Sequence, residues 1–220
     1  MAIRQGASAL GLVSAMPSGP GVIAEEAIAR IAAAVPPPIA TFLLTSRQRP
    51  DEIIAQHHRC RTTTLQLCDR LAPGGHAELR RALPGIGLVQ VIHVTGEASL
   101  AEALAVALSV DALLLDSGNQ SLPVKELGGT GRTHDWTVSR RIREQVPVPV
   151  FLAGGLNPGN VAGAVRAVQP FGLDLCGSVR TDGRLDETKL ANFFAALATP
   201  GVAVPPSPLP RPGPAASLPS

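Results

Sequence analysis

The sequence predicts an α/β fold in which a parallel sheet closes into a (β/α)8 barrel, the TIM barrel. Short apolar segments alternate with helical patterns along most of the chain, which is typical of parallel strands joined by crossover helices. Their even spacing favours a closed barrel over the alternative, an open doubly wound sheet. Two central segments, 112–116 and 148–152, end in an aspartate and in a pair of glycines, so both carry polar chemistry to one end of the sheet.

Strand and helix patterns follow one another seven times along the chain. A short helix at 2–5 ends at Gly6 and leads into the first strand. Strands are predicted at 7–15, 39–45, 63–67, 87–94, 111–116, 148–152 and 171–176. Helices are predicted at 24–34, 50–58, 75–83, 99–107, 136–145, 157–168 and 187–198. Because a closed barrel of this type has eight strands, the pattern predicts a TIM barrel that lacks its first strand.

Capping residues mark several of these helix starts. Pro50 occupies a first helical position, where a missing N–H costs nothing. Asp135 precedes the helix at 136–145 and is predicted to be its N-cap. Asn157 followed by Pro158 predicts a sharp helix start directly after the second glycine-containing strand end.

Composition divides the chain into two parts. The chain has 220 residues, 45% of them hydrophobic and 16% charged, which suits one domain with a sizeable core. From residue 199 onward Pro, Ala, Ser and Gly dominate without apolar periodicity. We therefore expect a barrel domain at 1–198 and a disordered, proline-rich tail at 199–220.

Charge and cysteine content narrow the possible partners. The net charge of +2 is the difference between 19 basic and 17 acidic residues, and no basic cluster suggests nucleic acid. No apolar run reaches the roughly 20 residues of a membrane helix, and serine and glycine interrupt the segment 7–15, which favours a core strand over a secretory signal. The three cysteines lack metal-ligand spacing. We expect reduced thiols, no metal, no membrane association and a cytoplasmic location.

Asp116 is the first candidate for catalysis. It follows three leucines at the carboxyl end of a predicted strand, where barrel enzymes place their catalytic groups. A carboxyl partly withdrawn from water at this position suits a general acid. The alternative interpretation is a loop aspartate that caps a turn.

Two glycine-containing loops are candidates for phosphate binding. Gly154 and Gly155 precede a helix, and Gly177 and Ser178 follow the last strand. If a missing first strand is counted, these are the loops after strands seven and eight, which often bind phosphate through backbone N–H groups. The alternative is that the glycines only turn the chain. Arg180 either adds a charged contact to the phosphate or faces water.

A glycine-rich segment and two histidines complete the candidates. The segment is not a Walker loop, because no strand precedes it directly and no Lys-Ser/Thr follows. His134 follows this segment, and His93 ends a predicted strand near the same edge. We expect the segment to be a mobile loop that folds over the site: Gly128, Gly129, Thr130 and Gly131.

Three stretches, in this order, resemble the phosphoribosylanthranilate isomerase family of tryptophan biosynthesis. They are LLLDS at 113–117, GGTGRTHDW at 128–136 and VFLAGGLNPGNV at 150–161. Two further stretches, ASALGLV at 7–13 and LQL at 65–67, match more loosely. The resemblance extends over about residues 1–198.

The resemblance implies an isomerase that needs no cofactor. Members of the family are (β/α)8 barrels that convert N-(5-phosphoribosyl)anthranilate into its ribulose-type product by an Amadori rearrangement. It implies that Asp116 is the general acid that protonates the sugar ring oxygen. It also implies that Gly154, Gly155, Gly177 and Ser178 hold the phosphate of a phosphosugar substrate.

The sequence departs from the family pattern in the other half of the site. The family's general base is a cysteine in a Lys-Ile-Cys-Gly stretch on the first strand, and this sequence has no such stretch. No arginine stands at 18–21, where the family's anthranilate-binding arginine is expected, and Cys68 replaces the usual histidine. The phosphate loop reads CGSVR at 176–180 instead of Ser-Ser-Gly-Val-Glu. Cys68 and His93, both at predicted strand ends, are candidates for a substitute base.

These departures leave three functions open. The chain is an isomerase of this type or a gene model of one that lacks its start, a catalytically inactive phosphosugar-binding relative, or an isomerase for a different phosphorylated sugar. A seven-stranded barrel would also expose unpaired strand edges at 7–15 and 171–176. We therefore expect marginal stability, aggregation, or a homodimer that forms through those edges.

Overall fold

The strands form one parallel sheet whose order follows the chain. The computed structural model describes residues 1–198, so the predicted tail at 199–220 lies outside the described residues. All six neighbouring strand pairs are parallel, as predicted. The seven strands, in spatial order, are β1 Ala9–Val13, β2 Ala40–Thr45, β3 Thr64–Leu67, β4 Gly87–His93, β5 Ala112–Asp116, β6 Val150–Leu152 and β7 Gly172–Leu173.

A helix follows each of these strands, which confirms the predicted alternation. The helices are α1 Glu25–Ala34, α2 Pro50–Cys60, α3 Gly75–Ala82, α4 Ala98–Ala107, α5 Trp136–Gln145, α6 Val161–Val168 and α7 Glu187–Leu197. Short 3-10 helices cover Ala2–Gln5 and Gly177–Val179, and a small hairpin pairs β8 Arg180–Thr181 with β9 Arg184–Leu185. None of the described helices is long and apolar enough to cross a membrane.

The two faces of the sheet form two apolar clusters. Leu113, Leu115 and Leu152 point outward and are fully buried beneath the helices, where each contributes about 2 kcal/mol of burial. Leu114 and Ala153 alternate with them and point to the inner face. This inner cluster is the interior of a curved sheet, which makes the fold an α/β structure of the TIM-barrel type.

The sheet is open between its first and last strands. Among the described strands, β1 pairs with β2 alone and β7 pairs with β6 alone, and the end of β1 also forms a single parallel bridge between Val13 and Val22. Three aromatic rings contact one another across the inner face of the sheet: Phe42 on β2, Phe151 on β6 and Phe171 directly before β7. Phe151 meets Phe42 edge-on with a centroid distance of 6.2 Å and meets Phe171 with a distance of 5.4 Å. Phe151 also packs on Gly172, where a β-carbon would lie 2.7 Å from the ring.

Two local predictions near the site are corrected. The last strand was predicted to reach residue 176, but β7 ends at Leu173, and the following residues turn into the site. Asn157 was predicted to be the N-cap of the next helix, but α6 begins at Val161 with Asn160 as its N-cap. Asn157 instead forms a turn in which its side-chain oxygen accepts a hydrogen bond from the Gly159 N–H at 2.9 Å.

Candidate functional site

Strand register places three residues side by side at the carboxyl edge of the sheet. Leu115 pairs with Leu152, and Leu152 pairs with Leu173. The residues that follow therefore share one row: Asp116 on β5, Ala153 after β6 and Asp174 after β7. The Ala153 N–H donates to the Leu115 carbonyl, and the Asp174 N–H donates to the Leu152 carbonyl, which continues the ladder through this row. Residues in register point to the same face of a sheet.

This row opens into a cavity of about 180 Å³. The cavity brings together the predicted acid, both predicted phosphate loops and three of the four predicted loop residues. Gly128 does not line the cavity but lies directly behind Asp116. The lining residues are Asp116, Gly129, Thr130, Gly131, Ala153, Gly154, Gly155, Leu156, Asn157, Asp174, Leu175, Cys176, Gly177 and Ser178.

The Asp116 carboxylate is almost completely buried and is held in a fixed orientation. Only 8% of the surface of Asp116 is exposed to solvent. The Ser117 backbone N–H donates to Oδ1 at 2.7 Å, and the Ser117 hydroxyl lies 3.4 Å from the same oxygen. The Ser117 hydroxyl is also 2.7 Å from the hydroxyl of Thr130, so the carboxylate is connected to the loop above it.

The segment 117–135 between β5 and α5 covers the site. Its base is a short antiparallel contact between Asn119 and Glu126, and Glu126 also pairs with Arg132. Lys125 reaches the buried Asp69 carboxylate with a distance of 2.5 Å between Nζ and Oδ2. The segment is therefore attached to the β3 end of the sheet as well as to its own strand.

The two glycine loops present free backbone donors. Gly154 and Gly155 have positive φ angles of 81° and 61°, a conformation that other L-residues rarely adopt. Within the described residues, the N–H groups of Gly154, Gly155, Gly177 and Ser178 have no hydrogen-bond acceptor in the protein. Backbone N–H groups that converge on a cavity are a common way to bind phosphate.

Side chains from the following turn hold the first of these loops in place. The side-chain amides of Asn157 and Asn160 both donate to the Gly155 carbonyl, at 3.2 Å and 2.9 Å. The Asn160 side-chain oxygen accepts from the Asn157 N–H at 2.8 Å. These contacts turn the Gly155 carbonyl toward the asparagines.

Asp174 is a titratable cavity residue that sequence analysis missed, because the predicted strand at 171–176 concealed it. Asp174 lines the cavity together with Asp116. Burial and the nearby negative charge of Asp116 raise the pKa of Asp174 to about 7. One sequence signal could have identified it: like Asp116, Asp174 directly follows a short apolar segment, and a strand prediction that ended at residue 173 would have placed it at the strand end.

The structure places the two predicted substitute bases below or beside the cavity and not among its lining residues. Cys68 is 1% exposed within the inner apolar cluster, and burial strongly raises the pKa of its thiol. His93 is in register with Asp116, but its Nε2 contacts the Cys68 carbonyl at 2.9 Å. Its Nδ1 lies where a β-carbon on Gly118 would be only 2.3 Å away.

His134 and Asp135 lie at the end of the covering segment. Asp135 caps α5 by accepting a hydrogen bond from the Thr137 N–H at 2.8 Å, as predicted. His134 contacts the Ser139 hydroxyl through Nε2 at 2.7 Å, and its buried Nδ1 has no partner within the described residues. Burial lowers the pKa of His134, and the Asp116 charge opposes this change. A larger depression of about 560 Å³ beside His134 and Trp136 lies away from the carboxylate pair.

Arg180 lies beside the second glycine loop at the open side of the sheet. Its guanidinium donates to the Gly183 carbonyl at 2.8 Å. It also packs against Gly21, where a β-carbon would be 3.0 Å from the guanidinium. Burial raises the pKa of the neighbouring Cys176 thiol, while the positive charge of Arg180 opposes this rise.

Comparisons with known proteins agree with this arrangement. The sequence model of the family N-(5'-phosphoribosyl)anthranilate (PRA) isomerase matches residues 2–196. The N-(5'-phosphoribosyl)anthranilate isomerase of Haloferax volcanii is 36% identical over 194 residues, which cover 88% of this chain and 84% of the relative. That of Methanocella arvoryzae is 32% identical over 189 residues, which cover 86% of each chain.

Solved structures show the same fold. The phosphoribosyl anthranilate isomerase of Thermus thermophilus superposes with a TM-score of 0.73 at 28% identity and covers 90% of both chains. A phosphoribosyl anthranilate isomerase solved with reduced 1-(o-carboxyphenylamino)-1-deoxyribulose 5-phosphate gives a TM-score of 0.71 at 23% identity, covering 89% of both chains. With a family match across nearly all described residues, this chain belongs to the N-(5'-phosphoribosyl)anthranilate isomerase family.

Proposed function

We propose that this chain is a phosphoribosylanthranilate isomerase, which performs the Amadori rearrangement of N-(5'-phosphoribosyl)anthranilate in tryptophan biosynthesis. The observation that carries this proposal is the shared cavity. Asp116 and the unpaired N–H groups of two glycine loops line it together, in a chain that matches the family from residue 2 to residue 196. A buried acid and an anion-binding site within one small cavity suit a reaction on a sugar phosphate.

In this proposal the glycine loops bind the substrate phosphate and thereby position the sugar. The N–H groups of Gly154, Gly155, Gly177 and Ser178 donate to phosphate oxygens. Asp116 acts as the general acid and protonates the ring oxygen, so that the C1–O bond breaks and a Schiff base forms between C1 and the anthranilate nitrogen. Removal of the C2 proton then gives an enolamine, which tautomerises to the ketone. None of these steps needs a cofactor.

A turnover assay of the full chain with N-(5'-phosphoribosyl)anthranilate tests the proposal. We expect conversion by the unmodified chain and a loss of roughly 10²–10⁴-fold in kcat for Asp116→Asn, the range typical of a lost general acid. Asp182→Asn is the matched control, because Asp182 is an exposed loop residue. Complementation of a tryptophan-requiring strain provides the second readout.

Two results would favour the other functions. Phosphosugar binding without any turnover would indicate a catalytically inactive binding relative. Turnover of another phosphorylated aminosugar in preference to the anthranilate derivative would indicate an isomerase with a different substrate.

The opening in the sheet is the second part of the proposal. We assign the seven strands to positions two to eight of an eight-stranded barrel, so that the opening between β1 and β7 is the position of strand one. The consecutive strand order and the TM-score of 0.73 to an isomerase of the family support this assignment. An added N-terminal strand, supplied as an extension of the coding sequence, should raise the melting temperature. An unchanged melting temperature would contradict the assignment.

The exposed edges of β1 and β7 also support a proposed homodimer. Edge strands carry unpaired N–H and C=O groups, which readily pair with another chain. Light scattering over a concentration series should show a dimer that dissociates when a proline replaces Leu10 in β1. A stable monomer at all concentrations would exclude the dimer.

A further inference from the structure

We propose that Arg180 binds the ring carboxylate of the substrate and thereby recognises its aromatic half at the open side of the sheet. This inference rests on the proposed isomerase function and deepens it, because the acid and the glycine loops account only for the sugar and the phosphate. The sequence alone leaves two other roles for Arg180, a contact to the phosphate and exposure to water. The surroundings of its guanidinium favour the carboxylate.

The proposed substrate carries two anionic groups, and the cavity accommodates only part of it. The phosphate is attached at C5 of the ribose and the aromatic ring at C1, so the two negative charges lie at opposite ends of the molecule. The cavity of about 180 Å³ is smaller than the roughly 300 Å³ or more of a typical small-molecule site. With the phosphate at the glycine loops, we therefore expect the aromatic ring to extend beyond the cavity.

The Arg180 side chain reaches across the opening of the sheet at its carboxyl edge. Its backbone begins the hairpin that follows the second glycine loop, and its guanidinium packs against Gly21 in the segment between β1 and α1. Val22 bridges to Val13 on the side of β1 that faces away from β2, so Gly21 lies beside the opening. Along the rim, the guanidinium thus lies past the second glycine loop and away from the first.

Contacts within the protein fix the guanidinium but leave one side of it available. Nη1 donates to the Gly183 carbonyl at 2.8 Å, and the Lys189 ammonium donates to the Arg180 backbone carbonyl at 2.8 Å. Within the described residues, Nε and Nη2 donate to no oxygen. In this same chain, Nε and Nη2 of Arg70 bind the two carboxylate oxygens of Glu102 at 2.8 Å each. The corresponding side of Arg180 is therefore free for a two-point contact with a ligand carboxylate.

Arg180 is also a half-buried cation without an acidic partner. Within residues 1–198 it takes part in no salt bridge. The two cations of the covering segment are already paired, Lys125 with the buried Asp69 and Arg132 with Glu126. A ring carboxylate at either of those cations would break an existing ion pair, whereas Arg180 needs no such exchange.

The guanidinium lies close enough to the cavity for a bound substrate to reach it. Cys176 lines the cavity, and the positive charge of Arg180 opposes the rise that burial causes in the pKa of its thiol. The covering segment meets the same corner, because a β-carbon on Gly129 would lie 2.7 Å from Cδ of Pro20, next to Gly21. An aromatic ring that leaves the cavity at this corner brings its carboxylate to Arg180.

Calorimetric titration of two ligands into two proteins tests the inference. The ligands are the ribulose-type product, (o-carboxyphenylamino)deoxyribulose phosphate, and the same compound without its carboxylate. The proteins are the unmodified chain and Arg180→Met. We expect Arg180→Met to raise the Kd of the carboxylated ligand at least about 10-fold, because charge-assisted hydrogen bonds are lost. The Kd of the carboxylate-free ligand and that of inorganic phosphate should each change less than about threefold.

Further variants separate charge, shape and position. Arg184→Met removes an exposed guanidinium from the same hairpin and should bind both ligands like the unmodified chain. Arg180→Lys keeps the charge without the planar fork and should recover part of the lost affinity. Gly21→Ala would place a β-carbon 3.0 Å from Nη2 and should weaken the carboxylated ligand selectively. Gly85→Ala, with a φ of 83° and open space around it, is its control.

Steady-state kinetics provides a readout that a purely structural role would not change. With N-(5'-phosphoribosyl)anthranilate, Arg180→Met should raise KM at least about 10-fold and change kcat less than about threefold. The reason is that the carboxylate takes no part in the bond changes and is bound equally in the ground and transition states. With N-(5'-phosphoribosyl)aniline, which lacks the carboxylate, Arg180→Met should match the unmodified chain.

Three results would overturn the inference. Equal losses of affinity for both ligands, together with weaker binding of inorganic phosphate, would assign Arg180 to the phosphate. Equal losses with unchanged phosphate binding and a lower melting temperature would show that Arg180 only joins the hairpin to the segment after β1. Unchanged affinity of Arg180→Met for the carboxylated ligand would show that its guanidinium serves no ligand.

Binding and turnover separate this inference from the proposed function. If the carboxylated ligand depends on Arg180 but the unmodified chain turns over no substrate, the inference stands and the isomerase function is wrong. If the unmodified chain is active and Arg180→Met has the same preference for the carboxylated ligand, the function stands and the inference is wrong. An unmodified chain that binds neither ligand would overturn both.

Discussion

The backbone of Gly128 packs directly against the carboxylate of Asp116. A β-carbon at residue 128 would lie 2.7 Å from Oδ2 of Asp116, and the φ angle of 127° already excludes most side chains. Within the described part of the chain, the carboxylate is the only group that such a β-carbon would meet within 4 Å. The glycine-rich segment thus sets the position of the proposed acid through contact, as well as covering the cavity.

Gly128→Ala should therefore impair activity far more than stability. The new methyl group must displace either the Asp116 side chain or the covering segment, so we expect kcat to fall by at least 10-fold. Gly85→Ala is the control, because Gly85 has a similarly unfavourable φ of 83° but open space for 4 Å around the position that a β-carbon would take. Equal activity of the two variants in the turnover assay would contradict the proposed role of this contact.

Gly155→Ala should weaken phosphate binding. A β-carbon there would lie 2.6 Å from the Arg132 carbonyl carbon and 2.8 Å from the Thr133 nitrogen, and backbone atoms cannot move aside as a flexible side chain can. The shift should separate the two glycine loops and raise the Kd of inorganic phosphate at least 10-fold in calorimetric titrations. Gly183→Ala, with a φ of 74° and open space around it, should bind phosphate normally.

Lys125→Met should destabilise the fold by leaving a buried carboxylate without its cation. Asp69 is only 5% exposed in its side chain, and its partner Lys125 is 36% exposed. A fully buried pair would cost about 3–5 kcal/mol when broken, and the partial exposure of Lys125 reduces our expectation to about 1–3 kcal/mol. Urea unfolding measures this change, and Lys125→Met/Asp69→Asn should recover part of it.

A variant at an exposed ion pair tests whether the burial of Asp69 causes the loss of stability in Lys125→Met. Arg140 pairs with Glu144 one helical turn away on the exposed face of α5. Arg140→Met should cost less than about 0.5 kcal/mol in the same urea experiment. A cost similar to that of Lys125→Met would mean that the burial of Asp69 does not matter.

His134 should make the fold sensitive to acid. Burial lowers the pKa of His134 in the folded protein below its ordinary value of 6.5. The unfolded chain therefore binds a proton more readily, and the free energy of unfolding should decrease as the pH falls below about 6.5. His134→Gln should flatten this decrease in urea titrations between pH 5 and 7.5. His58→Gln, which removes an exposed imidazole, should leave it unchanged.

Much of the fold was predictable because its periodic signals are strong and local. Apolar strands and capped helices define the seven repeats, and the predicted helix at 136–145 coincides with α5. Errors arose where long-range contacts override local preference. Asn157 has every feature of an N-cap, but its side chain instead contacts Gly155 and Gly159, and the helix begins at Val161. The last strand was predicted too long because the apolar residues at 175 and 176 extend its pattern.

The site was only partly predictable for the same reason. Asp116 and the glycines lie at strand ends, a position that sequence periodicity reveals. Asp174 became visible only after β7 was seen to end at Leu173. The sequence could not predict that Cys68 lies outside the cavity. Cys68 is buried within the inner cluster, and that position depends on the curvature of the whole sheet.

By itself, the sequence determined the alternation of strands and helices, the family, and the residues at the ends of the two central strands, β5 and β6, because these depend on local patterns along the chain. Only the tertiary structure decided that Asp116 and Asp174 occupy one row on either side of Ala153. Strand register fixes that row, and register results from the pairing of segments that lie far apart in the sequence.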